Sequence, residues 1–122
     1  ERISLLSYSP LAGGRLSGKY LDGGTPANAR FTLFDSFGLR YRKPQVDNAV
    51  AAYARVAQAR GLSLVELALG YVRSRWFVGA TIIGATTMAQ LEEDLAAAQV
   101  ELDADTLAAI AEVQSRFPNP AS

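Results

Sequence analysis

The order of elements along the chain predicts an α/β fold with parallel strands: strand, long loop, two helices, strand, two helices. Two short apolar runs, Ile3-Ser4-Leu5-Leu6-Ser7-Tyr8 and Thr81-Ile82-Ile83, read as strands, and the second suits a buried one. Segments of helical periodicity lie between and after them. Two strands cannot make a sheet buried on both faces, as parallel sheets normally are, so the pattern asks for strands beyond these.

The first run follows directly on Glu1-Arg2 with no methionine before it, which predicts the interior of a longer protein. Pro10 cannot donate to a sheet ladder and should end that strand. In the loop that follows, Gly13 and Gly14 permit positive φ or close backbone approach. Residues 15–43 form a connection far longer than the usual ~4–6 residues, with little periodicity beyond one turn near residues 16–20. Its aromatic residues (Phe31, Phe34, Phe37 and Tyr41) predict an ordered loop lying over something.

A helix is expected over residues 44–60, with Val46, Ala49, Val50, Tyr53, Val56 and Ala57 on one face and Gly61 as its stop. A second starts at Ser63, whose spacing to Glu66 forms a capping box beside a Leu62/Leu67 staple. Leu64, Leu67, Ala68, Tyr71 and Val72 make its apolar face, and it ends near Arg75. After the Ile82 strand the chain turns at Gly84. Thr87 and Gln90 predict another capping box, opening a helix to about Ala98 in which Leu91 and Leu95 recur at helical spacing. Asp103 caps a last helix to about Val113, with Leu107, Ile110 and Ala111 inward. A non-helical tail closes the chain.

Composition narrows the chemistry. The 122 residues amount to one domain at most, and 49% hydrophobic with 20% charged residues marks a globular chain. No apolar run approaches the roughly 20 residues of a membrane span, so no membrane partner is expected. The absence of cysteine excludes disulfides and fits a cytoplasmic location. The absence of histidine removes the commonest general base and metal ligand. No carboxylate cluster has metal-site spacing, so no metal is expected and the main catalytic acid or base should lie elsewhere. Net charge is zero but uneven: residues 1–75 carry 11 Lys and Arg against 5 acids, whereas residues 76–122 carry 1 against 7.

In a parallel sheet the junctions at residues 8–14 and 83–87 face the same way, and ligands of α/β proteins gather there. Tyr8 offers a ring for stacking on a flat heterocycle, or it is a rim tyrosine packed on the core. Ser9 and the backbone of residues 11–13 could donate to a diphosphate, with Lys19 and Arg30 balancing its charge or merely solvated. The turn at Gly84 leads into a helix start that can hold phosphate or simply cap itself.

The segment Tyr8-Ser-Pro-Leu-Ala-Gly-Gly-Arg-Leu-Ser-Gly-Lys-Tyr20 resembles the one after the seventh barrel strand of aldo-keto reductases. Ile83-Gly-Ala-Thr-Thr-Met-Ala-Gln-Leu-Glu-Glu-Asp-Leu95 resembles the one after their eighth. The likeness is to bacterial reductases similar to potassium-channel β subunits, and it covers nearly the whole chain. It implies the C-terminal part of a (β/α)8 TIM barrel, about the last two βα units plus closing helices, with residues 1–122 a partial domain. It also implies NADPH as cofactor, with NADH not excluded, and a small-molecule carbonyl substrate. Tyr8 would stack on the nicotinamide, Ser9, Pro10, Leu11, Ala12 and Gly13 would line the diphosphate, and Lys19 and Arg30 would help hold the cofactor. Gly84 and Thr86 would lie at the 2′-phosphate end, with Gln90, Glu93 and Asp94 toward ribose and adenine. Many relatives have Lys at the Gly84 position, Arg at the Gln90 position and Asn at the Asp94 position, which leaves Arg30 as the compensating cation. The family's catalytic Asp, Tyr, Lys and His lie on earlier strands, so this chain carries no catalytic residue and is expected to be inactive alone.

Two other functions fit parts of the sequence. A non-catalytic nicotinamide-binding module, such as a redox sensor or channel subunit, would use the same barrel. A helix-turn-helix DNA reader could use the helix pair joined at Gly61, but zero net charge and few base-reading residues speak against a nucleic-acid partner. Two strands cannot close a barrel, so the isolated chain should self-associate, be partly molten, or require the rest of the barrel.

Overall fold

The structure, a computed structural model, describes residues 3–122. Glu1 and Arg2, on which the expectation of an interior start rests, lie outside them. Two strands, β1 (Leu5–Tyr8) and β2 (Val78–Ile82), pair in parallel, with Tyr8 beside Ile82. Between them the chain makes 3-10 turns at Ala12–Ser17, Leu21–Gly23 and Leu39–Arg42 and a one-turn helix α1 (Arg30–Leu33). Two longer helices follow, α2 (Pro44–Ala59) and α3 (Leu64–Arg73). After β2 come α4 (Met88–Ala97) and α5 (Ala104–Arg116). The α/β order is as expected, and so is the ordered connection, which Tyr20, Ala29 and Phe31 pin with a small buried cluster.

Both strands shift from their sequence positions because pairing sets their limits. β2 starts at Val78, ahead of the branched run, and β1 starts at Leu5. The register passes over Gly79, from Leu5↔Val78 to Leu6↔Ala80. A Cβ at Gly79 would stand 2.6 Å from the Ser4 Cβ, so this close approach requires glycine. The expected burial of the second strand is not met. Ile82 is 55% exposed, and Leu5 and Leu6 are exposed too, because the sheet has two strands among the described residues.

Helix α3 organises the rest. Ser63 Oγ accepts from the Glu66 N–H at 3.0 Å and Glu66 Oε2 accepts from the Ser63 N–H at 2.7 Å, so the predicted capping box forms in full. On one side Leu64 and Leu67 join Val46, Val50 and Ala57 of α2 and Ile110 of α5. On the other, Val65 and Leu69 meet Ala97 of α4. The single apolar face expected for α3 is therefore two faces. α2 ends as expected, with Gly61 at φ 67° just past its last turn.

The last two helices depart from their expected stripes. In α4 the buried residues are Asp94 and Ala97, while Leu95 is 57% exposed. The position of α3 decides which stripe is covered, and the small Ala97 allows the close approach. In α5 the buried residues are Thr106, Ile110 and Val113, spaced i, i+4, i+7; Ala111 is exposed, and the helix runs past Val113 to Arg116.

Candidate functional site

The parallel pairing of Tyr8 with Ile82 sets the loop of residues 9–14 and the turn of residues 83–87 side by side, about 4.8 Å apart at the strand ends. A second tie reinforces this. Leu11 from the loop and Ile83 from the turn both pack on the Val65–Leu69–Ala97 cluster between α3 and α4. Tyr8 itself is 73% exposed, so its ring is free to act as a stacking surface.

The loop is tight and partly strained. Ala12 N–H donates to Ser9 O at 2.9 Å, Gly14 N–H to Leu11 O at 2.9 Å, and Gly13 N–H to Ser9 Oγ at 3.3 Å. Ser9 and Ala12 hold φ of 55° and 51°, a left-handed conformation that costs a side-chain-bearing residue about 1–2 kcal/mol. Gly13 is bare for a steric reason as well, since a Cβ there would lie 3.1 Å from the Phe31 ring and 3.3 Å from Phe37.

The aromatic part of the connection thus lies directly on the loop. Arg30 stacks its guanidinium 5.1 Å from the Phe37 centroid, and the Lys19 ammonium stands 5.4 Å from the Tyr20 centroid. Lys19 also packs against Gly14, where a Cβ would meet its Nζ at 3.2 Å. Both cations are therefore brought to the loop, although Lys19 lies 5 to 6 residues and Arg30 about 17 residues beyond its glycines.

Gly84 is open: a Cβ built there meets nothing within 4 Å. The predicted Thr87–Gln90 capping box forms only in part. Thr87 Oγ1 accepts from the Gln90 N–H at 3.2 Å, but Gln90 Oε1 turns to Thr86, accepting from its N–H at 2.9 Å and its hydroxyl at 3.0 Å. Gln90 thereby fixes the turn rather than the cap. The first turn of α4 contains no acid, whereas those of α2, α3 and α5 contain Asp47, Glu66 and Asp105. The positive end of α4 is left uncompensated beside an open backbone, which suits a phosphate-bearing ligand.

Glu93 is exposed, but Asp94 is only 5% exposed, on the side of α4 that faces α3. Burial raises its carboxyl above the ordinary aspartate value. A cavity of about 630 Å³ lies elsewhere, between the connection and α2, and none of the predicted site residues lines it. Its walls include Arg15, Arg42 and Asp47, which no sequence spacing singled out. Among the described residues no cluster of acids could hold a metal, and no helix is long and apolar enough to cross a membrane.

Residues 2–115 match the model of the Aldo/keto reductase family. The chain is 46% identical over 121 residues to Protein tas of Escherichia coli, covering 99% of this chain and 35% of that protein. It is 40% identical over 95 residues to an aldo-keto reductase of Babesia bovis, covering 76% and 33%. A probable voltage-gated potassium channel subunit beta of Arabidopsis thaliana is 35% identical over 100 residues, covering 80% and 30%. The chain spans about a third of the length of these curated relatives.

Proposed function

This chain belongs to the aldo/keto reductase family, and on that premise we propose that it is the cofactor-binding C-terminal part of an NADPH-dependent carbonyl reductase. In this reading residues 1–122 are the last two βα units and closing helices of a (β/α)8 barrel, in a cytoplasmic enzyme. The observation that supports it most is the pairing of Tyr8 with Ile82, which aligns the loop and the turn along one sheet edge. Bound NADPH would supply the hydride. Tyr8 would stack on the nicotinamide, the backbone of residues 9–13 would line the diphosphate, and Lys19 and Arg30 would help hold the cofactor, Arg30 as the cation that compensates at the 2′-phosphate. Gly84, Thr86 and the start of α4 would take the adenosine phosphate, with Gln90, Glu93 and Asp94 toward the ribose and adenine. The acid and base would come from segments outside this chain, since histidine is absent from it.

The test is a titration of NADPH into the longer protein, followed by nicotinamide fluorescence, with carbonyl-dependent NADPH oxidation measured in parallel. Binding with turnover is expected, and no binding would sink the reading. Binding without turnover on any aldehyde or ketone would instead favour a nicotinamide sensor, a reading that the likeness to a channel β subunit keeps in view. Arg30→Ala should raise the KM for NADPH more than that for NADH; equal effects would remove Arg30 from the 2′-phosphate. The isolated chain should oxidise no NADPH, and the exposed edges of β1 and β2 should make it self-associate. A compact monomer in sedimentation would count against the partial barrel.

A further inference from the structure

We infer that Arg15 is a positioning residue: paired with Asp47, it clamps the aromatic connection onto the cofactor loop and so sets how long NADPH stays bound. The inference rests on the cofactor reading above. Arg15 directly follows the loop glycines, and its side chain reaches across to α2. Its Nη1 donates to Asp47 Oδ1 at 3.0 Å, in the first turn of α2. Its guanidinium carbon stands 5.0 Å from the Phe31 centroid and 5.2 Å from that of Tyr20. The side chain is 13% exposed, and its Nε is buried without a hydrogen-bond acceptor, which leaves the two ring faces as its partners on that side.

What Arg15 holds matters for the site. Phe31 meets Tyr20 at 5.2 Å and Phe37 at 5.5 Å between centroids, and both Phe31 and Phe37 press on Gly13. Phe37 in turn carries Arg30. A chain of contacts therefore runs from Asp47 on the rigid α2, through Arg15 and the rings, to the loop backbone and to one of its cations. Asp47 is 57% exposed, so the ion pair alone is worth little in water. The contacts of the guanidinium with the Phe31 and Tyr20 rings carry most of the clamp, and the compact ammonium of lysine reproduces them only in part.

The experiment uses the longer enzyme and its Arg15→Ala, Arg15→Lys, Arg15→Met and Asp47→Asn variants. Stopped-flow release of NADPH and steady-state kinetics are measured, with thermal unfolding as a control. Arg15→Ala should speed release roughly tenfold and raise the Kd to match, with Lys and Met intermediate and Asp47→Asn weakest. The KM for the carbonyl should stay within about twofold, because the clamp does not touch the carbonyl substrate. Unchanged release in Arg15→Ala overturns the clamp and leaves the cofactor reading standing. A lowered unfolding temperature with unchanged release shows a structural role only and also overturns it. If the unaltered enzyme binds no NADPH, the cofactor reading falls and the clamp falls with it.

Discussion

Helices α3 and α4 begin in almost the same way and end up doing opposite things. Each has a hydroxyl residue as N-cap, Ser63 or Thr87, that accepts from the backbone N–H three residues on. In α3 the third residue is Glu66, which closes the box and leaves a carboxylate against the positive end of the helix. In α4 it is Gln90, which bears no charge and reaches past the cap to Thr86. One start neutralises itself. The other keeps its field and fixes the turn in front of it, beside the open backbone of Gly84. The same capping chemistry can thus serve stability alone or stability together with a place for an anion, depending on whether the third residue is charged.

Four substitutions would break or sharpen this contrast, and each is best made in the longer protein. The largest effect should come from Ser63→Ala, which removes one arm of a complete box and should cost about 1 kcal/mol in urea unfolding without altering NADPH affinity. A change in affinity would mean that the two helix starts are not separable. Next, Ala89→Glu gives α4 the acid that α3 already has. The added charge should weaken NADPH binding by up to about 1 kcal/mol without lowering the unfolding temperature. Equal affinity in a fluorescence titration would deny the anion role of α4.

Asp94→Asn should be smaller and of the opposite sign, a modest gain of stability at neutral pH. Burial raises the Asp94 carboxyl above its unfolded value, so the folded state holds the proton more tightly. The penalty is full above the raised folded value and is relieved as pH falls toward the unfolded one. The gain from Asn should therefore shrink on acidification, and a pH-independent gain would exclude this cause. Asp103→Asn should show least, and only in acid. The Thr106 hydrogen bonds hold the Asp103 carboxyl below its ordinary value. Its cap therefore contributes fully above the unfolded value and fades as pH falls through the folded one. Asn keeps an uncharged cap, so acid unfolding should begin at lower pH in the variant.

Much of this molecule was legible residue by residue. The caps at Ser63, Thr87 and Asp103 lie in short local patterns, and all three accept a backbone N–H as expected. The parallel order followed from strands separated by helices, and the family from two motifs. What stayed hidden was decided over distance. β2 begins in Val78-Gly79-Ala80, a poor strand sequence that is extended because β1 pairs with it. The exposed Leu95 and buried Asp94 reflect where α3 lies, not the periodicity of α4. The Arg15–Asp47 pair joins residues 32 positions apart, and no spacing rule reaches that far. The strand junctions alone made candidates of Tyr8, Ser9 and the Gly84 turn and the resemblance suggested their roles, while the ties between these segments, Leu11 and Ile83 on one cluster and Phe37 on Gly13, come only from packing.

The parallel pair has a consequence for how the chain acquires its shape. Leu5 meets Val78 across 73 positions of sequence, whereas α2, α3 and their turn are contiguous. Closing so long a loop must precede any reward from the sheet, so helical structure should form early and strand pairing late. The edge that aligns the loop with the turn is then the last part to be assembled. Stopped-flow refolding of the longer protein should show helical signal recovering before NADPH-binding competence. The interval between the two would time the joining of β1 to β2.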